Sequence, residues 1–314
     1  MGDEISRRLV DGINATYGSH PGHRAVHAKG VLCAATFTPT DSASALSRAP
    51  HFAGPPVRAH VRFSNGGGDP SVPDSTRDAR GMAVKFYLAD GATTDIVALS
   101  LPVFFARTPE DLLAFNEARR PDPATGQPDL EKVGAYLAEH PEAVAAVTAA
   151  ISHPTPASYT GLSYHSLHAF AFVAADDSVH HGRYHLVPEG GEQTISEEEA
   201  AAKSPDYLRE ELANRFEQGP VGFGIDVQLA ADGDPLDDPT VEWPVEREVV
   251  RLGRLELTAL AFDRERDGDI LVFDPTRVPD GIRLTDDKIL LARPGAYSVS
   301  VTRRTTRSGD ALSP

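Results

Sequence analysis

The chain has 314 residues, with 30 Lys and Arg against 46 Asp and Glu and a formal net charge of −16. That acidic balance argues against nucleic acid as the main partner and against adhesion to an anionic membrane, since both need a basic face. The single cysteine, Cys33, forbids an intramolecular disulfide and any cysteine-built zinc or iron–sulfur site, while a 40% hydrophobic share supplies a sizeable core.

In chain order, Glu4 to Tyr17 carries Ile5, Leu9, Val10 and Ile13 at helical spacing, which predicts a short amphipathic helix. This N-terminus lacks the apolar stretch of a secretory leader, and no run approaches the roughly 18 to 20 apolar residues of a membrane span, so the expected location is cytoplasmic. Ala25 to Phe37 is small, β-branched and apolar. From Val57 to Phe63 the pattern alternates, with Val57, Ala59, Val61 and Phe63 against Arg58, His60 and Arg62, until Gly66, Gly67 and Gly68 break the strand. Met82–Leu88 and Asp95–Leu101 predict two more strands.

The period then changes. Pro109 opens a helix running to about Arg119, and Asp129 to Ala150 is helical with a break at Pro141. Strand patterns return at Ser163–Val173, Gly182–Val187, Val221–Leu229, Leu252–Ala261 and Ile270–Phe273. A helical insert, Ser196–Gln218, separates two of them, and Ser196 with Glu199 matches a capping box. Ala296–Val301 predicts a last strand before a frayed tail. Many separated strands with inserted helices indicate an α+β protein built on an antiparallel barrel or sandwich. No G-x-G-x-x-G follows a strand, and no P-loop or internal repeat is present, so nucleotide binding has no support.

The histidines offer several groupings. His181, Arg183 and His185 share one face of a strand, where two histidines could begin a metal site, but no carboxylate or third histidine is signalled nearby. His165 and His168 are equally weak signals, and His20 and His23 fall in a polar turn. The segment R-x-x-H-A-x-G (Arg24 to Gly30) differs, because Arg24 and His27 stand three apart before an apolar strand. The chain continues with V-R-F-S (Val61 to Ser64), R-D-x-R-G-x-A-V-K-F-Y (Arg77 to Tyr87) and P-V-F-F-x-R (Pro102 to Arg107). It ends with F-D-P-x-x-x-x-x-G-I (Phe273 to Ile282) and R-x-x-x-Y (Arg293 to Tyr297).

In that order and register, these segments resemble the haem-dependent catalase superfamily, specifically its short branch of catalase-related peroxidases. The resemblance implies a catalase-like antiparallel β-barrel with inserted and flanking helices and no C-terminal helical domain. Residues 1–18 would form an N-terminal helix, 19–305 one haem-binding barrel domain and 306–314 a disordered tail. It implies haem b as cofactor, with Tyr297 as axial ligand to the iron and Arg293, one helical turn earlier, stabilising the phenolate. His27 would be the distal acid–base and Ser64 the group that fixes its ring. Arg24 and Arg62 would pair with the propionates and Phe104 would pack beside the macrocycle. Val26 and Phe63 could line the pocket or belong to strand core.

Two positions depart from the family pattern. Leu99 stands where a distal asparagine is expected, with Ser100 as the alternative if the register shifts by one, and Leu112 replaces an aromatic residue. Losing a buried donor costs on the order of 1–3 kcal/mol of peroxide or transition-state stabilisation, and a more apolar pocket favours a bulky organic hydroperoxide. The expected function is therefore a peroxidase. A peroxide oxidises the haem to a ferryl species and an unidentified external electron donor returns it to rest, with weak catalase activity. The alternatives are rearrangement or dehydration of a hydroperoxide, a specialised biosynthetic oxidation, and a barrel that binds haem or an apolar ligand without turnover. A monomer or homodimer is expected.

Overall fold

A computed structural model describes residues 2–262 and 270–305. The helix α1 (Gly2–Tyr17) precedes β1 (Gly30–Pro39), the short α2 (Asp41–Leu46), β2 (Val57–Asn65), β3 (Arg80–Tyr87) and β4 (Thr93–Leu99). Helices α3 (Pro109–Ala118), α4 (Leu130–Glu139) and α5 (Val144–Ile151) follow, the last two separated at Pro141 as the sequence predicts. The chain then runs through β5 (Thr155–Pro156), β6 (Tyr164–His165), β7 (Phe170–Val173), β8 (Val179–Pro188) and β9 (Thr194–Ile195). After α6 (Glu197–Ala201) and α7 (Tyr207–Gln218) come β10 (Val221–Leu229), β11 (Val249–Leu260), β12 (Ile282–Leu284) and α8 (Lys288–Thr305). Ser196 caps α6 through the reciprocal pair with Glu199.

The strands pair antiparallel in the order β10-β11-β1-β2-β3-β4-β6-β8, and β8 pairs back onto β10 to close an eight-stranded barrel. The stretch expected as one strand over 163–173 divides into β6 and β7, which meet successive halves of β8. Closure removes the exposed strand edges an open sheet would carry. Alternation decides which side chains point inward. Cys33, Phe37, Val61, Phe63, Val84, Phe86, Leu186, Phe223 and Leu257 are fully buried in one core, so the barrel interior is filled with side chains and is not a ligand chamber. Phe63 lies there, stacked on Tyr159 at 5.5 Å between ring centroids, and is therefore core and not pocket wall.

Two predicted strands are corrected. Ile270–Phe273 forms no strand: the Leu271 carbonyl accepts from Arg24 Nη2 (2.8 Å) and the Asp274 N–H donates to Asp95 Oδ2 (2.9 Å), side chains taking the place of a ladder partner. Ala296–Val301 lies inside α8. There β-branched residues favour a strand locally, but Asp287 starts a helix at the preceding turn by accepting the N–H groups of Ile289 (2.9 Å) and Leu290 (3.1 Å). That helix crosses α1 so closely that a Cβ on Gly295 would stand 2.2 Å from Ser6 Oγ. The expected tail at 306–314 lies outside the described residues.

Candidate functional site

The outward side chains of β2, β3 and β4 form one wall of a crevice, and α8 forms the other. A cavity of about 80 Å³ lies between them, lined by Arg62 and Ser64 of β2, Gly81 and Ala83 of β3, Val97 and Leu99 of β4, and Arg293, Tyr297, Ser300 and Arg304 of α8. Arg24 and His27, from the segment before β1, complete it, with Phe273 as cover. An adjoining cavity of about 500 Å³ shares His27, Leu99, Arg293 and Tyr297 and runs on between α1, α3 and α5. Val26, Phe104 and Leu112 line this larger space. The structure thus brings the residues singled out from six separate segments of sequence to one crevice, Phe63 excepted.

His27 is placed by backbone. It has φ of 56°, the left-handed region that costs a side-chain-bearing residue roughly 1–2 kcal/mol. Its N–H donates to Gly66 O at 3.2 Å and that of Ala28 to Gly67 O at 3.1 Å, so the glycine run that ends β2 holds the segment down. The imidazole Nδ1 lies 3.0 Å from Ser64 Oγ and 3.1 Å from Asn65 O. A carbonyl oxygen only accepts, so Nδ1 carries the proton and Nε2 the lone pair. Burial, then the charges of Arg62 and Arg293, push the ring's pKa down to about 3, which keeps it neutral at neutral pH. Gly81 gives the ring its room: a Cβ there would stand 2.7 Å from Ser64 Oγ and 3.0 Å from the imidazole.

Across the crevice, Arg293 Nε donates to Tyr297 Oη at 2.8 Å. Arg293 Nη1 donates to His168 Nε2 at 2.9 Å, and His168 Nδ1 in turn donates to Asp287 Oδ2 at 2.6 Å. Since arginine only donates, His168 is the neutral Nδ1–H tautomer, in keeping with a pKa lowered chiefly by burial despite the Asp287 carboxylate. The same Asp287 caps α8, so one carboxylate sets both the start of the helix and the aim of the arginine at the phenol. His168 and Asp287 were not singled out as members of this chain from sequence. The one signal present was an acid before the apolar run Ile289–Leu290. Ser300 and Arg304 were also missed, although Arg293, Tyr297, Ser300 and Arg304 are spaced four, three and four apart, which places them on one helical face. Ser300 Oγ accepts the Ala25 N–H at 3.3 Å and so ties α8 to the His27 segment.

The register of β3 on β4 pairs Gly81 with Leu99, and it is Leu99 that lines both cavities beside His27. Ser100 is in the lining of neither cavity, and its Oγ accepts the Arg80 N–H at 2.9 Å. The other histidine grouping forms no centre. His165 and His185 meet edge to face at 4.8 Å outside the barrel, and Arg183 stacks on Trp243 at 4.3 Å. Among the described residues no cluster of three or more His, Cys, Asp or Glu has metal-holding geometry.

The catalase family model matches residues 11–312. A catalase-related peroxidase of Mycolicibacterium paratuberculosis is 42% identical over 308 residues, covering 98% of this chain and 97% of that protein. Another catalase-related peroxidase, from Synechococcus elongatus, is 34% identical over 298 residues, covering 95% and 88%. A solved bacterial catalase superposes with a TM-score of 0.80 at 25% identity, over 94% of this chain and 60% of that one.

Proposed function

The chain belongs to the catalase family, and from that premise we propose that it holds haem b in the crevice and reduces hydrogen peroxide or organic hydroperoxides with electrons from an external donor. The observation that carries this reading is that His27 and Tyr297 line the same two connected cavities, with a neutral imidazole on one wall and an arginine-bonded phenol on the other.

The donor set fits the group. Arg24, Arg62 and Arg304 line one end, where guanidinium forks suit two propionates. Val26, Leu99, Phe104, Leu112, Ala292 and Ala296 offer an apolar bed for the macrocycle. In a protein of net charge −16, this local concentration of arginine favours an anionic edge. Haem bound there supplies a ferric centre whose anionic oxygen ligand favours cleavage of the peroxide O–O bond. Tyr297 Oη would hold the iron, and the Arg293 Nε–H aimed at it would stabilise negative charge on that oxygen. On the facing wall, His27 Nε2 carries the lone pair that would take up a proton from the incoming peroxide and hand it back as general acid. Its tied Nδ1–H keeps the lone pair presented in the same direction through both transfers. Leu99 excludes water but offers no donor to peroxide, so small hydrogen peroxide is poorly oriented while an apolar hydroperoxide is tolerated.

The test compares hydrogen peroxide, cumene hydroperoxide and a lipid hydroperoxide, each with a phenolic donor, on the haem-loaded protein. Donor oxidation faster with the organic peroxides is expected, and oxygen evolution at a full catalase rate would overturn the peroxidase assignment. His27→Ala should keep the haem spectrum while losing activity by about 10²- to 10⁴-fold.

A further inference from the structure

The large cavity has a charged group that peroxide chemistry does not use. Arg119, the C-cap residue of α3, lines it at the side away from Arg24, Arg62 and Arg304. Its Nη1 donates to Tyr17 Oη at 2.8 Å, and Nε and Nη2 donate to Asn116 Oδ1 at 3.1 and 2.8 Å. The rings of Tyr17 and Phe115 each lie 5.2 Å from its guanidinium carbon. Neutral oxygens and ring faces thus fix the group in place, but no carboxylate among the described residues pairs with it. The C-terminal end of α3 offers only a partial negative charge. Three of its five N–H donors are used by these bonds, which leaves one on each terminal nitrogen. Arg119 is half-buried on a cavity wall whose other charged side chains are Arg77, Asp78 and Arg293, and a guanidinium held in place there with two N–H groups to spare is a receptor for a carboxylate, which it can meet by charge-assisted hydrogen bonds.

Resting on the peroxidase reading and naming its substrate class, we propose that Arg119 anchors the carboxylate of an amphipathic organic hydroperoxide. The apolar body lies along Phe115, Ile13 and Val147, which line the same cavity as His27 and are not among the residues that would bed the macrocycle. The arrangement divides the labour: three arginines, from the segment before β1, from β2 and from α8, would hold the carboxylates of the cofactor, and a fourth, at the end of α3, reads the carboxylate of the substrate.

The experiment uses haem-loaded protein and a hydroxy fatty acid, the unreactive alcohol analogue of a fatty-acid hydroperoxide, alongside its methyl ester. Calorimetric titration should show the acid binding about tenfold or more tighter than the ester in the parent, as a charge-assisted hydrogen bond implies. The gap should close in Arg119→Leu, persist in part in Arg119→Lys and narrow with added salt. In turnover, the acid-to-ester ratio of kcat/KM for the hydroperoxides should fall in Arg119→Leu, mainly through KM. Equal binding of acid and ester by the parent, or a gap that survives in Arg119→Leu, overturns the inference. If the leucine variant does not fold, Arg119→Gln removes the charge while keeping a donor, and the parent's own acid–ester comparison still decides. Binding of the alcohol analogue needs no turnover, so a failed peroxidase assay and a failed anchor are read separately.

Discussion

Leu99 and Gly81 face each other across β3 and β4 beside the His27 ring, and each contributes by what it leaves out. Gly81 omits a Cβ so that the imidazole fits, and Leu99 omits a hydrogen-bond donor. Leu99→Asn should therefore raise kcat/KM for hydrogen peroxide about tenfold, towards the low end of the roughly 1–3 kcal/mol that one buried hydrogen-bond partner contributes, and lower the preference for organic hydroperoxides. An oxygen electrode and a donor-oxidation assay read the two effects, and an unchanged ratio would show that Leu99 does not set the choice. At this scale the sequence was legible where several short motifs stood in order: Arg24, His27, Arg62, Ser64, Phe104, Arg293 and Tyr297 all meet at the crevice. It was illegible where one residue's importance comes only from a distant contact. His168 and Asp287 are 119 residues apart, and nothing local to His168 signals a bond to Arg293. Arg119 enters the sequence reading only as the approximate end of the helix that Pro109 opens, and the fold places it on a cavity wall.

The decisive element is α8. It carries Arg293, Tyr297, Ser300 and Arg304 on one face, and Asp287 joins its N-terminus to His168. Asp287→Ala removes a cap and leaves a buried imidazole N–H unpaired, so a loss of about 2–4 kcal/mol is expected in urea unfolding. Asp287→Asn keeps an acceptor for only one of the two roles, because Oδ1 serves the cap and Oδ2 serves His168; it should recover the cap's share of that loss while still altering the spectrum of bound haem through the weakened hold on Arg293. The sequence pattern Tyr-Ser-Val-Ser-Val-Thr predicts a strand here, and the structure makes it helix. Alternation and β-branching are local preferences of a few tenths of a kcal/mol per residue, and the cap, the salt bridge from Arg303 to Asp11 (2.7 Å) and packing on α1 outweigh them. The barrel strands were legible for the opposite reason. One face of each is buried in a common core, so the alternation of Val57–Phe63 and its neighbours carries the full free energy of burial.

The whole molecule keeps several histidines neutral, and this gives its stability a definite acid limb. Burial pushes His27 and His51 down to about 3 and His165 to about 4. The His51 ring is 1% exposed among Phe37, Phe52 and Phe86. In the unfolded chain each takes up a proton near pH 6.5, whereas the folded chain does not until about pH 3 to 4. The unfolded state therefore binds more protons in that window, and stability, full above pH 6.5, falls as the pH drops. The slope is about 1.4 kcal/mol per pH unit for each histidine, or about 4 kcal/mol for the three together. Urea midpoints measured from pH 7 to pH 4 should decline on this limb, and a flat profile would contradict the buried neutral rings. The closed barrel serves function by being filled: a rigid wall on its outer face fixes His27 against α8 to the precision that proton transfer needs. The measurement that bears most directly on the central claim is the absorption and resonance Raman spectrum of haem-loaded protein, comparing parent with Tyr297→Phe. A high-spin ferric tyrosinate signature present in the parent and lost in the variant is the expected result, and identical spectra would contradict ligation of the iron by Tyr297.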